Sequence, residues 1–504
     1  MHPPHVLVIG AGLGGLSAAA SLAAGGLEVE VFEKNDRIGG KLNLLEQDGF
    51  SLDLGPSILI LPHIFRRVFE RAGRRMEDYV HLQELQPQWR CFWEDGTRLD
   101  LHPDVARMEA ELATLPGATR GWWSFLEYSR ELYRFCDRAY LQPGADTFRE
   151  VLAGHTLGEV VHGSDPLRTM ASGIARYVEE PHLRDMLGFF IKYVGSSCYD
   201  APALMNLLPF SQLGYGLWYV TGGMYNLARA YDRLLGELGV RVHLGSEVVR
   251  IRTEGPRATG IELADGRFVA ADYVVSNMEV VPAHRHLLGE PEDRVRRLEK
   301  RLEPAASGLV LHLGVDRIYP QLQHHNFFFS RNLEAFLAAI HRRKELPEDP
   351  TIYLVCPTVT NPDLAPSGHS VLKILPHIPS IQDPPFSASD YQALEARVLD
   401  KLERMGLEDL KSHVVTRHVL LPEDLERMYR SNRGAIYGVV SHRTQNFAFK
   451  GPKRSRRYPN LYFVGGSVNP GGGTPMVTLC GQNVADRILG DVASGRAAHP
   501  SSGA

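Results

Sequence analysis

The chain has 504 residues, of which 44% are hydrophobic and 23% are charged, and these ordinary proportions exclude a disordered protein and a membrane protein with many spans. A formal net charge of −4 provides no positive field for a polyphosphate backbone, so nucleic acid is not expected as a partner. Five cysteines without a CxxC pair favour free thiols in a cytoplasmic protein over disulfides or a metal centre.

The beginning of the chain predicts a nucleotide-binding strand, turn and helix. Residues 6–9 and 28–32 are predicted strands, and residues 16–24 are small and favour a helix. Glycines in the first turn permit a tight bend and the close approach of a pyrophosphate to the helix N-terminus. Glu33 ends the second strand, where it can accept a hydrogen bond from a ribose hydroxyl. A plain tight turn is the alternative, but strand, helix and acid together favour a dinucleotide site with Gly10, Ala11, Gly12, Gly14, Gly15 and Glu33.

Helices with many aromatic side chains are predicted between residues 104 and 205. The stretch 201–228 contains no charged residue and is long enough in principle to cross a bilayer. Prolines and glycines interrupt it, among them Pro209 and Gly222. We therefore expect a buried segment, or one that dips into a membrane surface, rather than a span.

The second half of the sequence predicts two groups of strands and a closing helix. Residues 222–238 favour a helix, and Asp265 with Gly266 is a hairpin turn signal. The predicted strands are 240–244, 247–252, 260–263, 308–315, 326–329, 351–356, 370–375 and 461–464, and residues 267–275 are predicted as one or two strands. Further helices are predicted at 390–405 and 477–489. The strands from residue 308 onward indicate a second sheet, and the small residues at the end of the chain indicate a flexible tail.

Glycine motifs near both ends of the chain carry a family resemblance. They are Arg37-Ile38-Gly39-Gly40-Lys41, Asp53-Leu54-Gly55-Pro56-Ser57, Gly222-Gly223-Met224 and the run from Asn460 to Val477. With them the sequence resembles the amine oxidase and phytoene desaturase superfamily of flavoproteins, which implies FAD as the cofactor. The implied fold is α/β (α+β overall), with a Rossmann-like FAD-binding domain of that type interleaved with a mixed-sheet substrate domain and a helical cap.

The resemblance also implies positions for the parts of FAD. Gly39, Gly40 and Lys41 would lie along the diphosphate and ribityl chain, and the backbone of Val248 would meet the adenine. The last glycine turn would set a helix N-terminus against the isoalloxazine ring. The further residues implied at the cofactor are Lys34, Gly39, Gly40, Lys41, Gly55, Pro56, Ser57, Val248, Gly465, Gly466, Pro475, Met476 and Val477.

Internal motifs resemble the carotenoid branch of that superfamily. They include Gln88-Trp89-Arg90 and the runs Phe190 to Pro202, Ser276 to Val280, His324 to Phe329 and Tyr429 to Tyr437. Many other members carry an acidic residue after the last strand, where this chain has Gly466 and Ser467. The resemblance implies oxidation of the terminal methyl group of an acyclic carotenoid to an aldehyde, with a hydrophobic polyene as the partner. A carotenoid desaturase and a catalytically silent flavin-binding protein are the alternatives; catalytic residues and oligomeric state are not predicted.

Four other features are an aromatic run, a histidine pair, two arginines and a basic run. Three of them have two interpretations each, and the histidine pair is not expected to bind a metal. Phe327 to Phe329 either line a polyene channel or pack as a core strand. His324 and His325 lack a metal-spaced partner, so no metal is expected. Arg430 and Arg433 either contact flavin or a substrate oxygen, or lie in a solvated turn. The basic run is either a solvated loop or a contact for anionic lipid headgroups, and its members are Lys450, Lys453, Arg454, Arg456 and Arg457.

The positions of the motifs divide the chain into interleaved domains. The FAD-binding domain is expected at residues 1–75, 215–290 and 455–492. The substrate domain is expected at residues 76–214, which include a helical membrane-facing cap, and at 291–454, with a flexible tail at 493–504. No basic leader or cleavage site precedes the first strand, and a polyene is insoluble in water, so we expect a cytoplasmic protein that binds the membrane surface peripherally (monotopic).

Overall fold

A parallel sheet of five strands forms the first layer of the computed structural model, which describes residues 3–495. In sheet order the strands are Leu461–Phe463, Tyr273–Ser276, His5–Ile9, Glu28–Phe32 and Arg241–His243. Val6 lies opposite Val29 on one side and opposite Tyr273 on the other. Most side chains of these strands are buried, as expected for a parallel sheet covered on both faces.

Four helices pack together beside this sheet. They are Leu13–Ala24, Pro62–Arg71, Tyr225–Glu237 and Thr474–Ala493. Gly481 permits close packing of the first and last helices, because a Cβ there would lie 2.5 Å from the carbonyl oxygen of Gly14. The helix predicted at 477–489 begins earlier than expected, since Pro475 fits the first turn of a helix. The end of the predicted tail, residues 496–504, lies outside the described residues.

A small antiparallel sheet follows the strand Arg241–His243 in the chain. Its strands are Val248–Glu254, Arg257–Leu263 and Phe268–Ala270. The predicted hairpin turn is confirmed, with Gly266 at φ +87°, a conformation that glycine adopts without steric cost. The region predicted as 267–275 is two strands, because Tyr273–Ser276 leaves this sheet and joins the parallel one.

The predicted second sheet is confirmed and has eight strands. In sheet order they are Val414–Leu420, Val310–Val315, Ser370–Ile378, Ile352–Val355, His325–Phe328, Trp89–Phe92 and Arg98–Leu101, with Ser307–Gly308 paired to Ser370–Ile378. Sequence reasoning missed Trp89–Phe92, which is short and pairs with His325–Phe328 across more than two hundred residues. Two further ribbons pair Leu44–Gln47 with Phe50–Asp53 and Leu82–Glu84 with Trp218–Val220.

Phe327, Phe328 and Phe329 belong to the core rather than to a channel. Each has no exposed surface, and none of them lines the cavity described below. Phe327 stacks on Tyr353 with ring centroids 4.9 Å apart, and Phe329 stacks on Trp93 at 4.7 Å. The core-strand interpretation is therefore confirmed, and the channel interpretation is wrong for these three rings.

The region between residues 104 and 213 is helical, as predicted. Its α-helices are Val105–Leu112, Ala118–Cys136, Phe148–Leu152, Leu157–Ser164, Met170–Ala175, Pro181–Phe189 and Leu207–Leu213. Side-chain caps begin several of them, such as Thr156, which accepts from the backbone N–H of Glu159. The uncharged stretch 201–228 folds as short elements, and no helix among residues 3–495 is long and apolar enough to cross a membrane.

Among the remaining helical elements, Ala388–Arg404 packs against the second sheet, whereas Val280–Pro282 and Glu292–Arg301 belong to the core around the parallel sheet. The α-helices are Val280–Pro282, Glu292–Arg301, Leu333–Ala338, Ala388–Arg404 and Pro422–Tyr429. Short 3-10 or π turns are Met76–Asp78, Asp137–Leu141, Phe190–Val194, Ala203–Asn206, Ala283–Leu287, Ala339–Arg343, Pro357–Val359, Pro362–Leu364, Leu410–His413 and Asn432–Gly434. All five cysteines are buried and carry free thiols.

Candidate functional site

A cavity of about 460 Å³ connects the parallel sheet to the helical region. Ile9 and Phe32, the last residues of two parallel strands, line it on one side. Tyr133 and Val160 of the helical region line it on another. Ligands of open α/β sheets bind beyond the carboxyl ends of the strands, so this cavity is the candidate cofactor and substrate site.

The first glycine turn faces the cavity through Gly10, Gly12 and Gly14. Ala11 and Gly15, which we also predicted at the cofactor, do not line it. A Cβ on Gly15 would overlap the carbonyl oxygen of Gly10, so this glycine lets the helix lie close to the strand. The backbone N–H of Ala11 donates to Glu33 at 2.8 Å. Both residues therefore shape the turn without forming the cavity wall.

Glu33 is buried at the wall of the cavity, at the end of the second parallel strand. One carboxylate oxygen accepts from Ala11, and the other accepts from the backbone and side-chain amides of Asn35 at 2.9 and 2.8 Å. These bonds hold the carboxylate in one orientation. Its oxygens have further acceptor capacity for a hydroxyl group of a bound nucleotide.

Asn277 is a site residue that sequence reasoning missed. It follows the strand Tyr273–Ser276 directly and lines the cavity. A Cβ on Gly12 would lie 2.6 Å from its Nδ2, and one on Gly14 would lie 2.8 Å from its Oδ1. Both positions need glycine because Asn277 occupies the space that a side chain would take. Its position directly after a predicted strand was the signal in the sequence. That signal was insufficient, because Asn277 meets the first glycine turn only through the pairing of Tyr273–Ser276 with His5–Ile9.

The diglycine Gly39-Gly40 packs directly against the first glycine turn and lines the cavity. The backbone N–H of Gly39 donates to the carbonyl of Ala11 at 2.8 Å, and Gly12 and Gly39 form a β-bridge. Both diglycine residues have positive φ, +106° and +58°, where a larger residue would be strained. The two turns together form a glycine-rich wall that permits close approach to the backbone.

The predicted lysines Lys34 and Lys41 line the cavity, but their amines are held by protein groups. Lys34 donates to the backbone carbonyl of Arg427 at 2.7 Å. Lys41 donates to two backbone carbonyls at 2.9 Å and lies 3.5 Å from a carboxylate oxygen of Glu279. Burial lowers the pKa of Lys41 and raises the pKa of Glu279. Lys41 therefore ties the cavity wall to the segment around residue 435.

The predicted turn Gly55-Pro56-Ser57 also lines the cavity, and Lys373 of the second sheet supports it. The amine of Lys373 donates to the carbonyl of Gly55 and to Ser57 Oγ. Burial lowers the pKa of Lys373 to about 8, although the nearby Asp53 acts in the opposite direction. A side chain of the second sheet thus stabilises the turn Gly55-Pro56-Ser57.

The diglycine Gly222-Gly223 opens a helix, as the resemblance predicted, but it is not part of the cavity wall. Asp53 accepts from the backbone N–H groups of Met224 and Tyr225 at 2.7 and 3.2 Å. A Cβ on Gly223 would lie 3.1 Å from this carboxylate. The glycine pair therefore serves the start of the helix Tyr225–Glu237.

The last glycine turn meets the first one across the cavity. Gly465, Gly466, Pro475, Met476 and Val477 all line it, and a Cβ on Gly14 would lie 3.2 Å from the backbone N of Gly465. The helix Thr474–Ala493 begins after Gly473 without a side-chain cap. Its first N–H groups and the positive end of its dipole thus remain for another partner.

These residues fit FAD. Val248 lines the cavity, as the resemblance predicted. The helices Leu13–Ala24 and Thr474–Ala493 both begin at glycine turns of the cavity wall and have no side-chain cap. Ser431 also lines the cavity, and its Oγ is buried without a hydrogen-bond partner among residues 3–495. Such an orphaned hydroxyl is expected where a polar ligand completes the site.

Arg430 and Arg433 have different surroundings. Arg430 lines the cavity and pairs with Glu247 at 2.9 Å. Arg433 does not line it; its guanidinium donates to a backbone carbonyl, that of Ile381, at 3.2 Å on the surface. The contact interpretation therefore stays open for Arg430 alone.

The lysines of the basic run are buried, which neither interpretation of this run foresaw. Lys450 donates to a backbone carbonyl at 2.6 Å and to Ser441 Oγ at 2.8 Å, and burial lowers its pKa to about 7. Lys453 pairs with Asp146 at 2.8 Å and has no exposed surface. Arg456 remains exposed. Contact with lipid headgroups is thus wrong for the two lysines, since their charges point inward.

His324 and His325 both have protein partners. His324 Nδ1 lies 2.7 Å from Thr360 Oγ1, and His325 Nδ1 lies 2.9 Å from the hydroxyl of Tyr353. Burial lowers the pKa of His324 to about 3 and that of His325 well below its usual value. Both rings are therefore neutral core groups.

The part of the cavity within the helical region is mostly apolar. Its side chains come from three helices, from the turn Asp137–Leu141, from the uncharged stretch and from the loop near residue 448. They are Tyr133, Phe135, Cys136, Tyr140, Leu141, Phe148, Val151, Val160, Leu204, Met205, Leu207, Leu208, Phe447, Ala448 and Phe449. This part of the cavity can exclude water and bind a long apolar chain.

Comparison with known proteins defines the class. A family model described as flavin containing amine oxidoreductase matches residues 13–489. The chain belongs to this family. It is accordingly an FAD-dependent oxidoreductase, and the predicted cofactor and fold class are confirmed.

Two curated relatives match almost the whole chain. A 4,4'-diapolycopene oxygenase of Methylomonas sp is 52% identical over 490 residues, which cover 97% of this chain and 98% of that protein. A 4,4'-diaponeurosporene oxygenase of Staphylococcus aureus is 48% identical over 485 residues, which cover 96% and 98%. The resemblance to the carotenoid branch is thereby confirmed.

Solved structures share the fold at low identity. A putrescine oxidase solved with putrescine bound has a TM-score of 0.64 at 17% identity and covers 97% of this chain and 99% of its own. An oxidoreductase from Methanosarcina mazei has a TM-score of 0.62 at 18% identity and covers 96% of this chain and 100% of its own.

Proposed function

We propose that the protein uses FAD to oxidise the terminal methyl group of an acyclic carotenoid, similar to diaponeurosporene or diapolycopene, to an aldehyde. The observation that carries this proposal is the 52% identity to a diapolycopene oxygenase over 97% of the chain. The apolar part of the cavity supports it, because a polyene needs apolar and aromatic walls and offers few polar groups.

The reaction needs little acid–base chemistry in its first step. A terminal methyl group on a conjugated polyene is allylic, so loss of a hydride leaves a positive charge delocalised along the chain. When it is bound, FAD is the acceptor for this hydride. The protein holds the C–H bond in place and limits the access of bulk water to the channel. Capture of the cation by one water molecule, with loss of a proton, gives an alcohol. After an electron acceptor has reoxidised the reduced FAD, a second two-electron oxidation gives the aldehyde.

The residues that hold FAD are part of the proposal. The glycine turns at Gly12, Gly40 and Gly465 would lie against the cofactor backbone, and Glu33 would accept from its ribose. Residues 1–75, 215–290 and 455–492 supply all five strands of the parallel sheet, which supports their assignment to the FAD-binding domain. Residues 76–214 and 291–454 would bind the polyene.

Peripheral membrane binding on the cytoplasmic face is also part of the proposal. Several apolar side chains in the helical region are exposed: Phe148, Leu157, Val161 and Leu167. Leu157 and Val161 are four residues apart and share a helix face, while Val160 of the same helix lines the cavity. An apolar surface beside the apolar part of the cavity would let a polyene pass from a bilayer without crossing water.

The proposed reaction can be tested by co-expression with a route to acyclic carotenoids. We expect pigments that gain oxygen and carry a terminal aldehyde, identified by mass and absorption spectrum. Labelled water and labelled O₂ in parallel cultures identify the source of the oxygen, and the route above predicts label from water. A product that gains only double bonds, without oxygen, would refute the oxidase and support the desaturase.

A further inference from the structure

Lys192 is a buried amine in the cavity that has no polar partner. Its side chain lines the cavity, and the residue is 4% exposed. Within residues 3–495, no hydrogen bond or ion pair joins its Nζ to another residue, unlike Lys41, Lys373 and Lys450. Burial of an unpaired amine is unfavourable, so an amine that remains there is a candidate for a functional role.

Aromatic rings surround this amine. Nζ lies 4.0 Å from the ring centre of Tyr353, 4.5 Å from that of Tyr193, 5.1 Å from that of Phe327 and 5.5 Å from that of Trp89. These rings restrict where the amine can point and exclude water from its surroundings. A ligand in the cavity is therefore the available hydrogen-bond partner.

The segment that carries Lys192 lies beside the last glycine turn. Lys192 belongs to the turn Phe190–Val194, and a Cβ on Gly473 would lie 3.9 Å from the carbonyl oxygen of Tyr193. Gly473 precedes the helix Thr474–Ala493, whose first residues line the cofactor part of the cavity. Lys192 is thus placed between the glycine turns and the apolar part, where the oxidised end of a polyene would lie.

We propose that Lys192 is a catalytic base for the second oxidation, in which its Nζ accepts the hydroxyl proton of the polyene alcohol. This inference rests on the proposed function. The alcohol loses two hydrogens and two electrons: the carbinol hydrogen leaves as hydride with FAD as its acceptor, the O–H proton passes to Nζ, and a C=O bond forms. Methyl oxidation to the cation needs no such base, so the two oxidations differ in their need for Lys192.

The electrostatic surroundings leave Lys192 available as a base. The titratable groups beside it are neutral: burial raises the pKa of Tyr193 and Tyr353 and lowers the pKa of His325 and His377. Burial also lowers the pKa of Lys192 well below its usual value. Since a base must be deprotonated, alcohol oxidation is expected to slow as the pH falls through the pKa of Lys192.

Lys192→Met tests the inference, because methionine keeps the length and removes the base. In co-expression we expect the polyene alcohol to accumulate, with its oxidation slowed by about 100-fold or more while methyl oxidation continues. With purified holoenzyme and the alcohol in liposomes, the fall in rate at low pH should be present in the wild type and absent in the variant. Lys192→Arg introduces a permanent charge that cannot accept a proton, so it should behave as Lys192→Met does.

A binding measurement provides a readout independent of turnover. A polyene aldehyde bound to wild-type holoenzyme should absorb at longer wavelength, because its carbonyl accepts a hydrogen bond from Nζ, and Lys192→Met should lack this shift. Lys411→Met is the matched control, since Lys411 is exposed and pairs with Asp400 on the surface. Flavin absorbance relative to protein shows that each variant is folded and loaded.

The outcomes separate this inference from the proposed function. A wild-type protein that yields no oxygenated pigment contradicts the proposed function itself. If the wild type makes aldehyde and Lys192→Met makes it with the same alcohol-to-aldehyde ratio, the inference alone is overturned. Should neither Lys192 variant fold, a wild-type rate of alcohol oxidation that does not fall at low pH overturns it equally.

Discussion

Gly12 is a position at which we expect a single side chain to prevent cofactor binding. Gly12→Val should remove FAD, because a Cβ there would lie 2.6 Å from Asn277 Nδ2 and the larger side chain would extend into the cavity. The ratio of flavin absorbance to protein after purification measures this. Gly236→Ala is the control, since nothing lies within 4 Å of a Cβ at that helical position, and it should keep its flavin. Full FAD content in Gly12→Val would show that the nucleotide lies elsewhere.

The segment from Lys450 to Arg457 joins two distant parts of the fold through one buried ion pair. Lys453→Met should lower the free energy of unfolding by about 3 kcal/mol, because it leaves the buried Asp146 with Arg487 as its remaining cationic partner. Thermal unfolding monitored by circular dichroism or flavin fluorescence measures the loss. Arg456→Met, in the same segment but exposed, should change stability little. Equal melting temperatures for the two variants would contradict the structural role of Lys453.

The molecule as a whole should bind a bilayer through the apolar surface of its helical region. The double variant Leu157→Asp/Leu167→Asp should reduce flotation with lipid vesicles, since both side chains are exposed, 68% and 83%. The control is Phe268→Asp/Ile318→Asp, which changes side chains that are 53% and 60% exposed in other parts of the fold. Flavin content should stay at the wild-type level in both. Equal loss of flotation in both would mean that the helical region has no special role.

Features that depend on a continuous stretch of chain were predictable from the sequence. The turn from Gly10 to Gly15, the strand that directly precedes Glu33 and the hairpin at Gly266 all lie where we expected them, because backbone geometry and local spacing determine them. The existence of the second sheet was also predicted, since its strands between residues 307 and 378 are apolar runs, whereas Trp89–Phe92, Arg98–Leu101 and Val414–Leu420 were not predicted. Interleaving of the domains came from the family resemblance rather than from any local pattern.

Features that depend on residues far apart in the sequence became visible only in the tertiary structure. Asn277 completes the glycine turns only because its strand lies beside the first one. Lys453 is buried because Asp146, 307 residues earlier, comes within 2.8 Å of it. Lys192 lies in one of the runs that carry the family resemblance, but nothing in that run shows that the amine is surrounded by the rings of Tyr353 and Trp89. The cofactor and the class of chemistry follow from short-range motifs, whereas the burial and partners of each charge follow from contacts between segments that the linear order does not encode.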